Sequence, residues 1–244
     1  MPTAAHLRVD PGDCADIALL PGDPGRVDRI ASHLDESTHM ADNREYRLVN
    51  GSYEGRSVTI CSTGVGSPSA AIAVEELSQV GVETVVRVGT IGALQPDIAT
   101  GELIVPTAAA KDEGTTKRYE SPSIPAVATP SVATAIAESA RATEVTAHVG
   151  PIVTDDAFYA ETDAYVADWE AANLLGVEME AAAILSLARR RGMDAGAICA
   201  VDGNLVAGTQ KGTEEVPDDE ELPDAAREGV DREIQVALEA LTDL

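Results

Sequence analysis

The segment Ile17-Ala18-Leu19-Leu20-Pro21-Gly22-Asp23-Pro24-Gly25-Arg26 carries the pattern that decides the fold. Its apolar first half predicts a buried strand, and a helix-like segment, Val27–Leu34, follows the glycine turn. Asp23 is a favourable N-cap residue, and Pro24 suits the first helical position. A strand, a glycine loop and a helix N-terminus form a site for an oxyanion such as phosphate, to which Arg26 adds a planar set of donors. The alternative is a plain surface turn, and the rest of the chain decides between the two.

Strand-like and helix-like segments alternate along the chain, which is typical of an α/β fold. The predicted strands are Ile17–Leu20, Ser57–Ser62, Thr84–Val88, Glu102–Val105, His148–Val153, Gly176–Glu178 and Gly196–Val201. The predicted helices are Val27–Leu34, Ser67–Gln79, Ser131–Ala142, Ala160–Asn173, Ala181–Arg191 and Ala225–Leu241. Lys111–Pro130 and the acidic Thr209–Pro223 are predicted loops, and a flap over an active site is the alternative for the second. Because there is no internal repeat or linker, we expect one domain spanning residues 1–244.

The charge of the chain is extreme, with 42 acidic and 17 basic residues and a formal net charge of −25. Concentrated salt would screen this self-repulsion, so the composition predicts a cytoplasmic protein of a halophile. An acidic chain argues against a nucleic-acid partner, whose phosphates need a basic face. The apolar runs are too short to span a membrane, and no signal sequence is evident. Cys14, Cys61 and Cys199 fit neither a disulfide framework nor a zinc site, and we expect them to be small buried residues.

Four further segments lie at the ends of predicted strands, where open α/β sheets usually bind ligands. They are Asn43–Tyr46, Cys61–Ser69, Val86–Gly92 and Val177–Ala183. An arginine inside a buried strand is costly unless an anion neutralises it. Arg87, together with Thr90, could therefore hold an oxyanion, or Arg87 could form a structural pair with a carboxylate.

Glu178 and Glu180 place two carboxylates in a run of small and apolar residues. A carboxylate accepts two adjacent hydrogen bonds, which suits a vicinal diol such as ribose O2′ and O3′. On an extended strand these two side chains share a face, although a following helix would change that. A carboxylate favoured by a helix N-terminus is the alternative, and it fits Glu178 better. Glu180 is therefore the stronger candidate for sugar binding.

Taken together, these segments resemble the nucleoside phosphorylase-I family, and within it the uridine phosphorylases most closely. The match runs from His6-Leu7 to Glu178–Ala183 and covers nearly the whole chain. The resemblance implies a three-layer α/β/α sandwich around a mixed, partly barrel-like central sheet. It also implies reversible phosphorolysis of a ribonucleoside to free base and ribose 1-phosphate, with inorganic phosphate as co-substrate and no required cofactor. The implied assembly is a homo-hexamer, a trimer of dimers with shared active sites.

The resemblance also implies a role for each matching residue. The phosphate-binding residues would be Gly22, Arg26, Arg87, Thr90 and Arg44 of a neighbouring subunit. The ribose-binding residues would be Glu178, Met179, Glu180 and a neighbour's His6. The base-binding residues would be Ile91, Gly92, Phe158 and Asp202, and the catalytic residues Arg87, Glu180 and Asp202. Some relatives hold a monovalent cation between subunits, and Glu45 and Ser69 at the matching positions make potassium the expected ion.

The region that would contact the base departs from the family pattern. Uridine phosphorylases carry a Gln-x-Arg pair there to bind uracil, which the run Phe158–Ala164 lacks, and a further family arginine falls on Leu205. Carboxylates stand nearby instead, at Asp155, Asp156, Glu161 and Asp202. Carboxylates accept well from the N1–H and N2–H₂ groups of guanine, whereas the carbonyl groups of uracil need donors. The pocket therefore favours guanine, and the overall similarity favours uracil.

Two other functions remain open at the level of sequence. A nucleosidase of the same superfamily would use water in place of phosphate, and the three arginines Arg26, Arg44 and Arg87 argue against it. A non-catalytic nucleoside-binding relative would keep the fold without turnover. The retained Arg87, Thr90 and Glu180 argue against that, whereas the loss of the residues that bind uracil argues for it.

Overall fold

The computed structural model describes residues 3–209 and 222–244, which alternate between strands and helices. The strands are β1 Ile17–Leu20, β2 Glu36–Asn43, β3 Tyr46–Tyr53, β4 Arg56–Cys61, β5 Thr84–Ala93, β6 Leu103–Asp112, β7 Ala126–Val127, β8 Ala147–Asp155, β9 Gly176–Glu178 and β10 Asp194–Asn204. The helices are α1 Pro24–Ala31, α2 Ser67–Val80, α3 Pro130–Ala142, α4 Asp163–Ala171, α5 Ala181–Arg191 and α6 Asp224–Ala240. In this part of the chain, no helix has the length and apolarity to cross a bilayer.

The central sheet is mixed and closes on itself along part of its width. β10 pairs with β6, β6 with β8, β8 with β9, β9 with β5, and β5 pairs back to β10. This ring of five strands continues from β5 into an open arm in the order β1, β4, β3, β2. The expected mixed, partly barrel-like sheet is therefore confirmed.

Helices cover the sheet on both faces, which gives three layers. Successive side chains of a strand point to opposite faces, so Val85 of β5 packs into the core beneath α2 and α5. Its neighbour Val86 packs into the core beneath α1, α3 and α6. The apolar side chains of α6 and of Leu241 after it are buried in that second core, at Val230, Ile234, Ala237, Leu238 and Leu241.

Several local predictions differ from the structure. β2 and β3 lie where no strand was predicted, because β2 is an exposed edge strand with a polar sequence that lacks alternation. The predicted loop Lys111–Pro130 contains the end of β6 and all of β7. α4 begins at Asp163, because Thr162 caps it and residues 158–160 form a short 3₁₀ turn. The acidic loop Thr209–Pro223 falls mostly outside the described residues.

The cysteines follow the expectation in two cases of three. Cys61 and Cys199 are fully buried, whereas Cys14 is only partly buried.

Candidate active site

A cavity of about 210 Å³ opens where the ends of β1, β4, β5, β9 and β10 meet. Its wall contains most of the residues singled out in the sequence, which come from five separate segments. They are Gly22, Arg26, Arg87, Thr90, Ile91, Gly92, Phe158, Glu178, Met179, Glu180 and Asp202. The fold thus brings most of the predicted phosphate, sugar and base residues to one place.

Two glycine loops form one wall of this cavity. At the start of α1, the Asp23 side chain accepts from Gly25 N–H at 3.0 Å, as expected for an N-cap. The neighbouring loop lies alongside, since Gly64 N–H donates to the Gly22 carbonyl at 2.9 Å. Gly64 has a φ of +72°, and a side chain there would collide with Glu45 and Ser69. Position 64 therefore requires glycine, both for its positive φ and for the close approach of Glu45 and Ser69.

Arg87 lies at the centre of the site and is only 4% exposed. Its Nε is 2.7 Å from Glu178 Oε2, and its Nη2 is 2.6 Å from Glu180 Oε2. Burial lowers the pKa of Arg87, but the charges of Glu180 and Glu178 outweigh it and hold that pKa above its ordinary value. Arg87 therefore forms the structural pair with carboxylates that the sequence left open. It also lines the cavity, so both alternatives for this arginine hold.

The guanidinium of Arg87 keeps one group for a ligand. Its Nη1 is buried and has no hydrogen-bond partner among the described residues. Gly89 gives the group room, because a Cβ there would be 2.9 Å from Arg87 Cζ. The sequence contains a signal for this open space beside Arg87. A glycine, Gly89, follows the buried arginine by two residues and therefore lies on the same face of β5.

Glu178 and Glu180 have different roles in the structure. Glu178 accepts from the N–H groups of Glu180 and Ala181 at 2.8 and 2.9 Å, and from Thr154 Oγ1 at 2.5 Å. These bonds place it at the N-terminus of α5, which supports the structural alternative for Glu178 and leaves it little capacity for a sugar.

Glu180 is the carboxylate with capacity left for a ligand. It accepts a short hydrogen bond from Gly66 N–H and pairs with Arg87. Burial raises the pKa of Glu180, against the opposing charge of Arg87. Each carboxylate oxygen has two acceptor sites, so both oxygens can still receive a hydroxyl from the cavity.

The cavity is also lined by Asp155, Phe158, Glu161, Asp202 and Leu205. Asp202 lies at an irregularity in β10, where the pairing with β5 jumps from Val201 to Gly203. Such a bulge re-aims a side chain, and here Asp202 lines the cavity.

Asp156 does not join the other carboxylates that line this cavity. Its Oδ2 accepts from Gly114 N–H at 2.7 Å, and it lines a different cavity. The inclusion of Asp156 among the base-contacting carboxylates was therefore wrong, because Asp156 lies just beyond β8 and its carboxylate is held by the loop that contains Gly114.

His6 and Arg44 lie outside the cavity of their own chain. His6 Nδ1 is 2.6 Å from Glu76 Oε1 on α2, and Asn43 Nδ2 donates to the His6 carbonyl at 2.8 Å. Arg44 occupies the turn between β2 and β3 with a φ of +58°. One subunit therefore does not bring these two residues to the remaining site residues.

Glu45 and Ser69 also lie outside the cavity, but they contact each other. Ser69 Oγ donates to Glu45 Oε1 at 2.9 Å, and Tyr46 OH lies 3.2 Å from Ser69 Oγ. These oxygens suit a hard monovalent cation in chemistry. Across the described residues, no group of three or more His, Cys, Asp or Glu side chains is arranged to hold a metal ion.

The fold combines a ring of parallel and antiparallel strands with two glycine loops. At the site, one arginine pairs with two glutamates. Residues 16–242 match the phosphorylase superfamily, and the chain belongs to that family. The resemblance to the nucleoside phosphorylases is thereby confirmed, and with it the enzyme class, a nucleoside phosphorylase that transfers a pentosyl group.

Individual relatives support this assignment. The chain is 58% identical to the guanosine phosphorylase of Halorubrum lacusprofundi over 98% of both chains. It is 42% identical to the uridine phosphorylase of Thermococcus kodakarensis, over 82% of this chain and 77% of that protein. Uridine phosphorylase from Vibrio fischeri superposes with a TM-score of 0.91 at 35% identity, covering 100% of this chain and 98% of that one. Purine nucleoside phosphorylase from Toxoplasma gondii, in complex with immucillin-H, gives 0.90 at 28% identity, covering 99% and 96%.

Proposed function

We propose that this nucleoside phosphorylase acts on guanosine and releases guanine and ribose 1-phosphate. The observation that carries the proposal is that two carboxylates, Asp155 and Glu161, line the cavity together with Phe158. Guanine presents N–H donors to such groups, whereas the carbonyl oxygens of uracil would face carboxylates that repel them. The 58% identity to a guanosine phosphorylase supports the same base. Uridine is the second candidate, because several of the other relatives are uridine phosphorylases.

The site supports a mechanism without a protein nucleophile. Phosphate, held by Gly22, Arg26, Arg87 and Thr90, attacks C1′ of the ribose through an oxocarbenium-like transition state, as in other glycosyl transfers. Arg87 pairs with Glu180 through Nη2 and can donate to phosphate through Nη1. It therefore links the group that holds the sugar to the group that attacks it, so that positioning and electrostatics supply most of the catalysis.

The ribose and the base complete this arrangement. Met179 and Glu180 hold the sugar, and Phe158, Ile91 and Gly92 contact the base. Asp202 protonates the purine as it leaves, which neutralises the charge that develops on the base.

The first test is base release from guanosine, inosine, adenosine, uridine and cytidine, with and without phosphate, in molar KCl. We expect phosphate-dependent release, with kcat/KM for guanosine about 10–100-fold above that for uridine, because mispaired polar groups cost roughly 1–3 kcal/mol. Release at the same rate without phosphate would identify a nucleosidase. Binding without turnover would identify a non-catalytic relative, and a preference for uridine would contradict the electrostatic argument for guanine.

The assembly we propose is a homo-hexamer, a trimer of dimers that shares its active sites. In it, a neighbouring subunit supplies His6 and Arg44, which in their own chain lie outside the cavity. Glu45 and Ser69 would contribute oxygen ligands to a potassium ion between subunits. The whole chain, residues 1–244, then acts as one phosphorylase domain in nucleoside salvage or catabolism.

We further propose that the enzyme works in the cytoplasm of a halophile, which its net charge of −25 supports. Raising ionic strength from 0.1 M to 1 M shortens the screening length from about 10 Å to about 3 Å. We therefore expect the melting temperature to rise steadily with KCl, as measured by circular dichroism. NaCl at equal ionic strength is the control, since an advantage of KCl alone would indicate a specific potassium site. Loss of structure with rising salt would contradict the halophilic assignment.

A further inference from the structure

The helix α6 carries a carboxyl group in a place where helices normally carry apolar side chains. Glu233 lies within the apolar stripe formed by Val230, Ile234 and Ala237, and it is 0% exposed. Neither of its carboxyl oxygens has a hydrogen-bond partner of good geometry among the described residues. A buried carboxyl group in this condition is costly to the fold, and the packing of α6 does not require one.

The charges that face Glu233 belong to the proposed anion site. Burial raises the pKa of Glu233, and the positive charges of Arg26 and Arg87 oppose this rise. The net result is a pKa of about 8. The backbone amides of Gly89 and Ala200 lie close enough to favour the charged form as well, although neither completes a well-shaped hydrogen bond. Arg26 and Arg87 line the cavity and Glu233 does not, so its carboxyl faces the two arginines from outside the cavity.

The other elements packed against α6 add little charge near this group. On β10 the thiol of Cys199 is the nearest titratable group, and burial holds its pKa well above the ordinary value, so it stays neutral. α3 contacts α6 through Ser139 Oγ, which donates to the Val236 carbonyl at 2.9 Å. The charged residues of α3, Glu138 and Arg141, are exposed.

We propose that Glu233 is a positioning residue of the anion site, which takes up a proton from solvent when a dianion binds to Arg26 and Arg87. Above pH 8, an ionised Glu233 in the empty site offsets arginine charge that Glu178 and Glu180 do not neutralise. A bound dianion supplies that negative charge from the cavity side, and a buried carboxylate beside it becomes unfavourable. The step forms one O–H bond on Glu233 with a proton taken from solvent, and no other covalent bond changes. The inference rests on the proposed phosphate site.

The consequence is a dependence of anion affinity on pH. Because binding takes up as much as one proton above pH 8, the affinity is expected to fall by up to about tenfold per pH unit there. Sulfate is the appropriate probe, since it remains a dianion throughout this range whereas phosphate titrates. Its dissociation constant is measured by calorimetry from pH 6.5 to 9.5 at fixed KCl concentration. Two buffers of different ionisation enthalpy report the number of protons taken up.

The test compares the wild-type enzyme with Glu233→Gln and with Glu228→Gln. Glu228 is exposed on the same helix and pairs with Arg232 at 2.8 Å, so its variant removes the same charge from the surface. We expect Glu233→Gln to abolish both the slope above pH 8 and the proton uptake, and Glu228→Gln to retain both. A wild-type slope in Glu233→Gln would overturn the proposal.

Two further outcomes separate this inference from the function on which it rests. If sulfate fails to bind the wild-type enzyme at every pH, the anion site and the role of Glu233 both fall. If sulfate binds but the wild-type enzyme takes up no proton, the role of Glu233 falls and the anion site stands. This second measurement needs only the wild-type chain, so it decides the question even if Glu233→Gln does not fold.

Discussion

Replacing Arg87 with alanine is expected to lower kcat/KM for phosphorolysis by roughly 10²–10³-fold, or about 3–4 kcal/mol of transition-state stabilisation. The arginine has Nη1 available for phosphate and pairs with Glu180 through Nη2. Its loss therefore removes a phosphate donor and releases the carboxylate that holds the sugar. Initial rates at saturating and limiting phosphate measure the effect, and near-normal phosphorolysis would refute the assigned role.

The same substitution is expected to destabilise the fold. It leaves Glu178 and Glu180, both 4% exposed, without their shared cation, and breaking a buried pair costs about 3–5 kcal/mol. Burial already raises the pKa of Glu180, and removing Arg87 raises it further. The folded state then favours protonated Glu180, so the stability lost relative to the wild-type protein is smallest in acid and grows as pH rises through that raised pKa. Urea denaturation at several pH values measures this trend.

A surface arginine provides the control for both effects. Arg29 on α1 pairs with Asp231 at 2.7 Å in a partly exposed position. Such pairs contribute about 0–1 kcal/mol, so Arg29→Ala is expected to retain wild-type rates and nearly wild-type stability. An equal loss of activity in both variants would show that net charge, and not the position of Arg87, matters.

Replacing Asp202 with asparagine is expected to lower kcat on guanosine by roughly 10²–10⁴-fold, the usual contribution of a general acid. Asparagine keeps the shape and the hydrogen-bonding capacity of the side chain but cannot give up a proton to the leaving base. 7-Methylguanosine provides the matched substrate, because its base already carries a positive charge and leaves without protonation. The variant should therefore lose little activity on 7-methylguanosine.

Asp156→Asn is the matched control for this experiment. Asp156 lies near the same segment but accepts from Gly114 N–H away from the active-site cavity, and an asparagine oxygen can still accept that bond. We expect its kinetics to stay near those of the wild-type enzyme. Equal losses on guanosine and 7-methylguanosine for Asp202→Asn would assign Asp202 a purely structural role, and unchanged kinetics on guanosine would remove it from the mechanism.

The sequence predicted those parts of the site that depend on local chemistry. The β1–α1 glycine turn, the buried Arg87 and the pair Glu178 and Glu180 all stand out, because buried charge and glycine next to a helix start are visible in a single stretch. The different roles of the two glutamates were also predicted from local chemistry, since Glu178 accepts the hydrogen bonds at the start of α5 that its position predicts.

Other features depend on contacts that no local pattern encodes. The strand β2 is exposed and polar, so only its pairing with β3 makes it a strand. The direction of Asp156 depends on the loop that contains Gly114, which packs against it. In the sequence, Glu233 is one of several charged residues of the last helix. Only the fold shows that the charges of Arg26 and Arg87 act on it.

The closed ring of strands has a consequence for how the enzyme is made. Thr84 at the start of β5 pairs with Asp194 at the start of β10, more than a hundred residues later in the chain. Contacts of such long sequence separation form slowly, because a large loop must close before they are gained. On the ribosome, the strand that carries Arg87 cannot pair with β10 until more than a hundred further residues have been synthesised. A nascent chain that stops before β10 therefore has both glycine loops but no finished cavity, and catalysis begins only when the ring closes.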